Sequence, residues 1–454
     1  MSRLPDVRRC QEWAEEMLCY ARSAGAEDAE VLVRDGSELE VKVRLGEPEL
    51  VKDAGSRALG LRVLRDHRVA VAYSTDFAPA AMRQFAHDSV ELCGLAEPDL
   101  LAGLPERHEM ARTVPDLDLW DETAPSLDAV QALRLAKRGE QAALQLDRRV
   151  TNSEGGICSR VMGATAFASS AGFSGGYRGT RLSLVVAPVC DDAEGKKRNG
   201  HYWTASRFLS GLLDPEAVGL EAARRTLAKL GSRKMATCQV PAVFAPEAAL
   251  SLLGQLAGVV SGGAVWRKAS YLAARENTIV ASPLVTVVDD PLRRRAPGSR
   301  PFDGEGLATR PNLVVSQGVL RAFLCDVYSA RKLGRPSTGS AGRGVGGGPH
   351  VSTSNLVLLA GKTPPADLER LPQGIYVTDL MGFGFNPVTG DWSQGANGFW
   401  IDNGSRAHAV SEITISINFD DLWKNIDGVG SDLDTRGSVQ SPTLRVSRIT
   451  VAGT

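Results

Sequence analysis

Between Ala29 and Thr75 the chain is a succession of short Val- and Leu-rich runs, AEVLVR, ELEVKVRL, RALGLRVLR and RVAVAYS, separated by Asp-Gly, Gly-Glu-Pro and Asp-His. Such breaks are turn signals, and runs this short and this rich in branched residues read as strands, so the segment is expected to fold back and forth as an antiparallel meander. A sheet of this kind needs a cover for its apolar face. The flanks supply one: Met1 to Tyr20 alternates charged with apolar residues as an amphipathic helix does, and a second helix is expected from about Ala78 to Leu95.

Beyond this module, Glu97 to Pro125 mixes Pro, Asp and Glu without periodicity and reads as a linker. Leu127 to Leu146 has helical periodicity, and Arg149 to Arg207 turns strand-like again. A third helix opens at Asp214, placed to cap it, with Pro215 at its first position and Gly231 just past its end. From Cys238 to Thr454 short strands and glycine-rich turns dominate, with Leu250 to Val260 as the clearest helix. The expected fold class is α+β, in an N-terminal helix-plus-sheet module (1–96), a linker (97–125), a middle α/β module (126–236) and a β-rich C-terminal domain (237–454). No period of 20 to 50 residues marks a solenoid.

A chain of 454 residues with 43% hydrophobic content has ample material for several cores. Lys plus Arg number 52 against 53 Asp plus Glu, which leaves no global field to draw the protein onto nucleic acid or an anionic membrane. The seven cysteines, Cys10, Cys19, Cys93, Cys158, Cys190, Cys238 and Cys325, are odd in number and include no C-x-x-C pair, which fits a reducing cytoplasm. The N-terminus lacks the apolar h-region of a secretory signal. Ala248 to Trp266 is uncharged over 19 residues, but its glycines, Gln255 and serines dilute it, and it reads as a buried helix and not a membrane span.

Several stretches match chemical motifs and fail their context. Gly172-Phe173-Ser174-Gly175-Gly176 has the spacing of a nucleophile elbow, yet an extended run follows where a helix is required. Gly342 to Gly347 matches G-x-G-x-x-G but is followed by Pro349, so it reads as a flexible or close-packed loop. Gly361-Lys362-Thr363 lacks the earlier glycine of a P-loop, and Asp432 to Gly437 starts like a calcium loop but places Arg436 at a ligand position. The latter is expected to be a polar loop. Arg293, Arg294 and Arg295, with Arg300 and Arg310, form the densest basic patch, expected as a solvated loop or a contact for an acidic peptide or a partner subunit.

The six histidines, His67, His87, His108, His201, His350 and His408, are dispersed; none lies within five residues of another. His108-Glu109 begins like H-E-x-x-H, but Arg112 stands where the second histidine belongs. Catalytic zinc held by this chain alone is not expected, and no catalytic residue or metal ligand is assigned.

Four C-terminal stretches are distinctive together: Pro301 to Thr309 (PFDGEGLAT), Ser354 to Leu358, Asn386 to Ser393 (NPVTGDWS), and Gly398 to Gly404 followed by Val410 to Thr414. With weaker echoes at Leu59 to Val63, Asn152 to Gly155 and Val288 to Pro291, they resemble the TldD/PmbA peptidase family, also called modulators of DNA gyrase, in its PmbA/TldE branch. That resemblance implies a subunit without the H-E-x-x-x-H zinc helix of TldD-type chains, whose place falls near Pro246 to Gly258 here and offers Glu247 but no histidine. It implies zinc only in a TldD-type partner and a heterodimer that cleaves unstructured peptides; the gyrase label finds no support in a near-neutral chain without a nucleic-acid motif, no membrane role is expected from the composition, and the alternative is a homodimer that binds peptides without cutting them. A peptide held in extended form against a strand edge needs polar anchors and apolar walls. The candidates are Asp303, Glu305, Arg343, Asn386, Asp391, Trp392, Trp400 and Glu412, with Phe383 and Phe385 beside them.

Overall fold

A computed structural model describes residues 4–453. Helix α1 (Val7–Ser23) is capped by Asp6, whose carboxylate accepts from the Arg9 amide, and is followed by strands β1 (Asp28–Arg44), β2 (Glu47–Arg65) and β3 (Arg68–Ser74) and helix α2 (Pro79–Gly94). The expected helices are therefore present; the first three residues of the N-terminal one lie outside the described residues. The meander differs in one respect. Asp35-Gly36 is no turn, because β1 runs straight through it, and the first two short runs are a single 17-residue strand. A Cβ at Gly36 would sit 2.7 Å from the Met162 carbonyl oxygen, so this glycine serves close strand approach and not chain reversal.

The partner in that approach is β4 (Val150–Ser169), which forms a hairpin with β5 (Phe173–Asp191) after helix α3 (Ala129–Leu146). Strand β1 pairs with β2 on one side and with β4 on the other, from Glu30 opposite Ser169 to Val43 opposite Gly156. The sheet order is β3-β2-β1-β4-β5-β6, with β6 (Lys197–Asn199) and β7 (Tyr202–Ser206) both on β5. The sheet thus does not stop at the boundary expected near residue 96; the N-terminal and middle segments share it. Pairing between β1 and β4 seals an edge that the meander alone would leave open.

By the two-residue alternation of a strand, Val31, Val33, Leu39, Val41 and Val43 share one face of β1. At one end of that face they meet Trp13 and Met17 of α1 and Met82, Ala86 and Val90 of α2. At the other they meet α3 and α4 (Pro215–Leu227). Asp214 caps α4 as expected. The opposite face, carrying Glu30 and Leu32, is covered by the chain from 97 onward: Leu32 packs with Met110, Phe167, Phe173 and Phe302.

The C-terminal part is strand-rich as expected. Strands β8 (Cys238–Phe244), β9 (Gln373–Met381), β10 (Asp391–Asp402), β11 (Ser405–Asn418) and β13 (Leu444–Ala452) pair in the ring β11-β10-β9-β8-β13, closed by β13 on β11, with β12 (Ile426–Val429) outside on β13. Closure gives each ring strand a neighbour on both sides over part of its length. Helix α5 (Pro246–Val259) buries Ala248, Ala249, Leu252, Leu253, Leu256 and Val259 in the largest core, which also receives a five-stranded sheet built around Val287–Asp289 and Asn312–Ser316. The uncharged stretch is accordingly interior, and among the described residues no helix is long and apolar enough to cross a membrane.

The expected linker is a strap bound along its length. Ala111 donates to the Gly306 carbonyl, Leu117, Leu119 and Trp120 are buried, and Arg331 donates to the carbonyls of Leu101 and Leu104. Arg294 donates to the Asp116 carbonyl and Arg295 to the Asp118 carboxylate at 2.6 Å, so part of the basic patch fastens this strap. Its Pro-rich, aperiodic sequence follows from having to satisfy another surface instead of forming its own ladder.

Candidate functional site

The eight residues proposed from sequence fall into separate groups: Asp303, Glu305 and Arg343 are buried, Asn386, Asp391 and Trp392 border one open cavity of about 620 Å³ with Phe383 and Phe385, and Trp400 and Glu412 do not line it. Asp303 is closed off from solvent: one carboxylate oxygen accepts from the amides of Glu305 and Leu307, the other from Ala341, fixing a turn to the strand at Ala341–Gly342. Glu305, equally buried, accepts at 2.8 Å from the Val327 amide at the start of the short helix Val327–Lys332. Burial, reinforced by Asp303 and Glu30, raises its carboxyl well above the usual glutamate range. Arg343 donates at 2.8 Å to the Glu30 carboxylate, the same oxygen that Arg62 reaches at 2.8 Å, and lies over the Phe167 ring. These three therefore cannot line a peptide cleft. Arg343 joins the C-terminal domain to the sheet through Glu30, while Asp303 and Glu305 brace the C-terminal domain internally, and the G-x-G-x-x-G loop goes with Arg343: a Cβ at Gly60 on β2 would overlap the Val345 carbonyl oxygen.

The other five lie on the ring. Asn386 and Asp391 order the β9–β10 turn, Asn386 accepting from the Val388 amide and Asp391 from the Thr389 hydroxyl. Trp392 is largely buried, its indole donates to Gln394, and with Phe383, Phe385, Asn386 and Asp391 it lines the open cavity of about 620 Å³. Trp400 is half-buried against the core. Glu412 holds a left-handed backbone (φ 55°) where β11 bulges against β10, and faces Lys234. Phe385 packs on Phe419, whereas Phe383 is fully exposed at the turn. Ser174 sits on β5 and donates to Glu15, which removes the nucleophile-elbow geometry.

A different constellation forms where α4, α5 and β9 meet. Glu247, in the first turn of α5, accepts from Arg225 of α4 at 2.9 Å and from Arg436 at 2.7 Å, both on one oxygen. Arg436 also reaches Asp434 and the Trp203 carbonyl and stacks on the Trp203 ring. The stretch expected to be a polar loop is a clasp between domains. Burial acts to raise the Glu247 carboxyl, but the two guanidiniums outweigh it and hold it below the usual range. Beside it, Arg406 lies 3.6 Å over the Tyr376 ring and pairs with Glu369 at 2.6 Å.

These groups border a groove. A cavity of about 280 Å³ lies between α4, the start of α5 and β9–β10, and shares Gly200, His201, Lys229 and Asp379 with a wider one of about 560 Å³ that runs past Glu154, Ile157 and Val185 of the sheet to Met381 and Asn397 of the ring. Lys229 and Asp379 pair at 3.2 Å at the junction. Strand β6 borders the groove through Asn199 and, among the described residues, pairs only with β5. None of Arg225, Lys229, Tyr376, Asp379 or Arg406 was signalled by a motif; three segments distant in sequence supply them.

The comparisons with known proteins bear on this joint. Models of the PmbA/TldA metallopeptidase family match in order: domain 1 at residues 29–93, the central domain at 122–230 and the C-terminal domain at 237–453. The metalloprotease PmbA of Escherichia coli O157:H7 is 36% identical over 453 residues, covering 100% of this chain and 98% of that protein. The chain belongs to the PmbA/TldD metallopeptidase family. A Haemophilus influenzae PmbA homolog is 33% identical (99% and 96% covered), and a TldD homolog of the same organism 23% identical (88% and 87% covered). In fold, the chain is similar to a Bacteroides thetaiotaomicron protein crystallised as a DNA gyrase modulator, with TM-score 0.91, 25% identity and 98% and 99% coverage. TldE from Thermococcus kodakarensis shares the fold at TM-score 0.85, 21% identity and 97% and 100% coverage.

The zinc that this family implies does not fit α5. At the H-E-x-x-x-H spacing the chain reads Pro246-Glu247-Ala248-Ala249-Leu250-Ser251, which leaves no imidazole, and two guanidiniums occupy the Glu247 carboxylate. A cation would be repelled there. The one group of three potential metal ligands among the described residues, His87, Asp88 and Glu91, is exposed on α2, far from this joint in sequence and on another element.

Proposed function

We propose that this chain is the metal-free subunit of a TldD/TldE-type zinc metallopeptidase complex, which holds unstructured peptides extended and threads them to the zinc site of a TldD-type H-E-x-x-x-H partner. The observation that carries this reading is the occupation of the metal-helix position by Pro246, Glu247 and Ser251, with Glu247 held by Arg225 and Arg436. The closer likeness to PmbA relatives than to the TldD homolog supports the branch. The groove beside that joint suits a peptide: it has one strand, β6, with backbone groups to offer, and polar and aromatic walls in Asn199, Asn397, Tyr376 and Phe399. We place the complex in the cytoplasm, in keeping with seven cysteines, odd in number and without a C-x-x-C pair.

The test is metal content, mass and peptide cleavage of this chain alone and coexpressed with a TldD-type companion. The expected result is cleavage only by a mixed complex with zinc. Stoichiometric zinc or cleavage by the isolated chain overturns the reading, and a homodimer that binds peptide but never pairs or cleaves establishes the non-proteolytic alternative.

A further inference from the structure

We infer that the enclosed end of the groove captures the C-terminal carboxylate of a peptide; this rests on the peptide-holding reading above. Size is the first argument. At about 280 Å³ the end cavity lies just under the range of roughly 300–1,000 Å³ common for ligand pockets, a size that suits the one or two terminal residues of a peptide. Its continuity with the wider part through Gly200, His201, Lys229 and Asp379 lets the rest of a peptide lie along the groove.

Charge is the second argument. Four cations, Arg224, Arg225, Lys229 and Arg406, line the end cavity against the three carboxylates Glu221, Glu247 and Asp379. Each carboxylate already has a nearer cation: Glu221 and Glu247 have Arg225 at 2.9 Å, and Asp379 has Lys229 at 3.2 Å. Arg224 stands 3.9 Å from Glu221 with a largely exposed side chain, so it is the cation with most capacity to bind a further carboxylate. Tyr376 and Phe399, with Arg406 over both rings, give the last side chain an apolar wall.

The experiment measures binding of a short fluorescein-labelled unstructured peptide to the full chain, alone and with its TldD-type companion. The peptide is made with a free C-terminal carboxylate, with a C-terminal amide, and as the amide with one internal glutamate. The free acid is expected to bind roughly ten- to a hundredfold more tightly than either amide, the worth of one charge-assisted contact. In the Arg224→Gln/Lys229→Gln double variant that preference falls towards one. Arg224→Gln alone, at an exposed position, gives a partial loss without risk to folding. Equal binding of acid and amide overturns the inference and leaves the peptide-holding reading standing. So does an internal-glutamate amide that binds like the acid, or a preference unchanged in the double variant. Absence of binding to all three peptides in both states overturns the peptide-holding reading itself.

Discussion

Replacing Glu247 by glutamine removes one charge and almost no volume from the joint between α4 and α5. Two charge-assisted hydrogen bonds converge on the carboxylate, from Arg225 at 2.9 Å and Arg436 at 2.7 Å. Each such bond is worth about 1.5–3 kcal/mol. Both arginines keep a second carboxylate, Glu221 and Asp434, and the three side chains are between 18 and 39% exposed, which lowers the sum. The expected loss is about 2 kcal/mol at neutral pH. The sign with pH follows from the depressed carboxyl: the stabilisation is fully present above the ordinary value of 4.5 and is lost as pH falls through the lower folded value. Glu247→Gln should therefore differ from the parent at neutral pH and converge on it in acid. Urea titration followed by tryptophan emission reads this, since Trp203 lies 4.6 Å from the Arg436 guanidinium. An unchanged midpoint at neutral pH, or a difference that persists in strong acid, refutes the clasp.

Four further outcomes are expected. Gly60→Ala places a methyl group against the Val345 carbonyl and should cost about 1–3 kcal/mol, with faster hydrogen exchange confined to the loop from Arg343 to Pro349. Glu305→Gln should raise the melting temperature at neutral pH: a buried carboxyl with a raised pKa loses stability as pH climbs above 4.5, and the amide keeps the acceptor for Val327, so the gain should vanish in acid. Arg343→Met removes one of two charge-assisted bonds to the buried Glu30 carboxylate, which keeps Arg62, and should destabilise the protein by about 1–3 kcal/mol in a thermal or urea melt. Ser174→Ala removes an exposed contact to Glu15 and should leave peptide cleavage by the assembled complex unchanged, with stability within about 0.5 kcal/mol.

Local chemistry was legible in advance. The cap at Asp214, the helix at α2 and the failure of the elbow at Ser174 each depend on neighbours within a few residues, and the structure agrees with all three. The four distinctive C-terminal stretches led to the family for a different reason, as specific strings and not as derived geometry. Asp303 and Glu305 show the limit: a polar pair in a Gly-rich loop looks like a binding site until the chain that covers it is known, and here Val327 and Ala341 consume its acceptors.

By itself the sequence determined the alternation of strands and helices, the absence of paired histidines, and the residues Pro246, Glu247 and Ser251 at the metal-helix spacing, because periodicity, capping and ligand count are properties of short segments. Tertiary structure alone decided that β1 and β4 fuse two segments into one sheet, and that residues 97–125 are a strap. It also brought Arg225 and Arg436, 211 positions apart, onto one carboxylate. Strand edges and charges find partners by proximity in space, and no local pattern along the chain encodes which distant partner arrives.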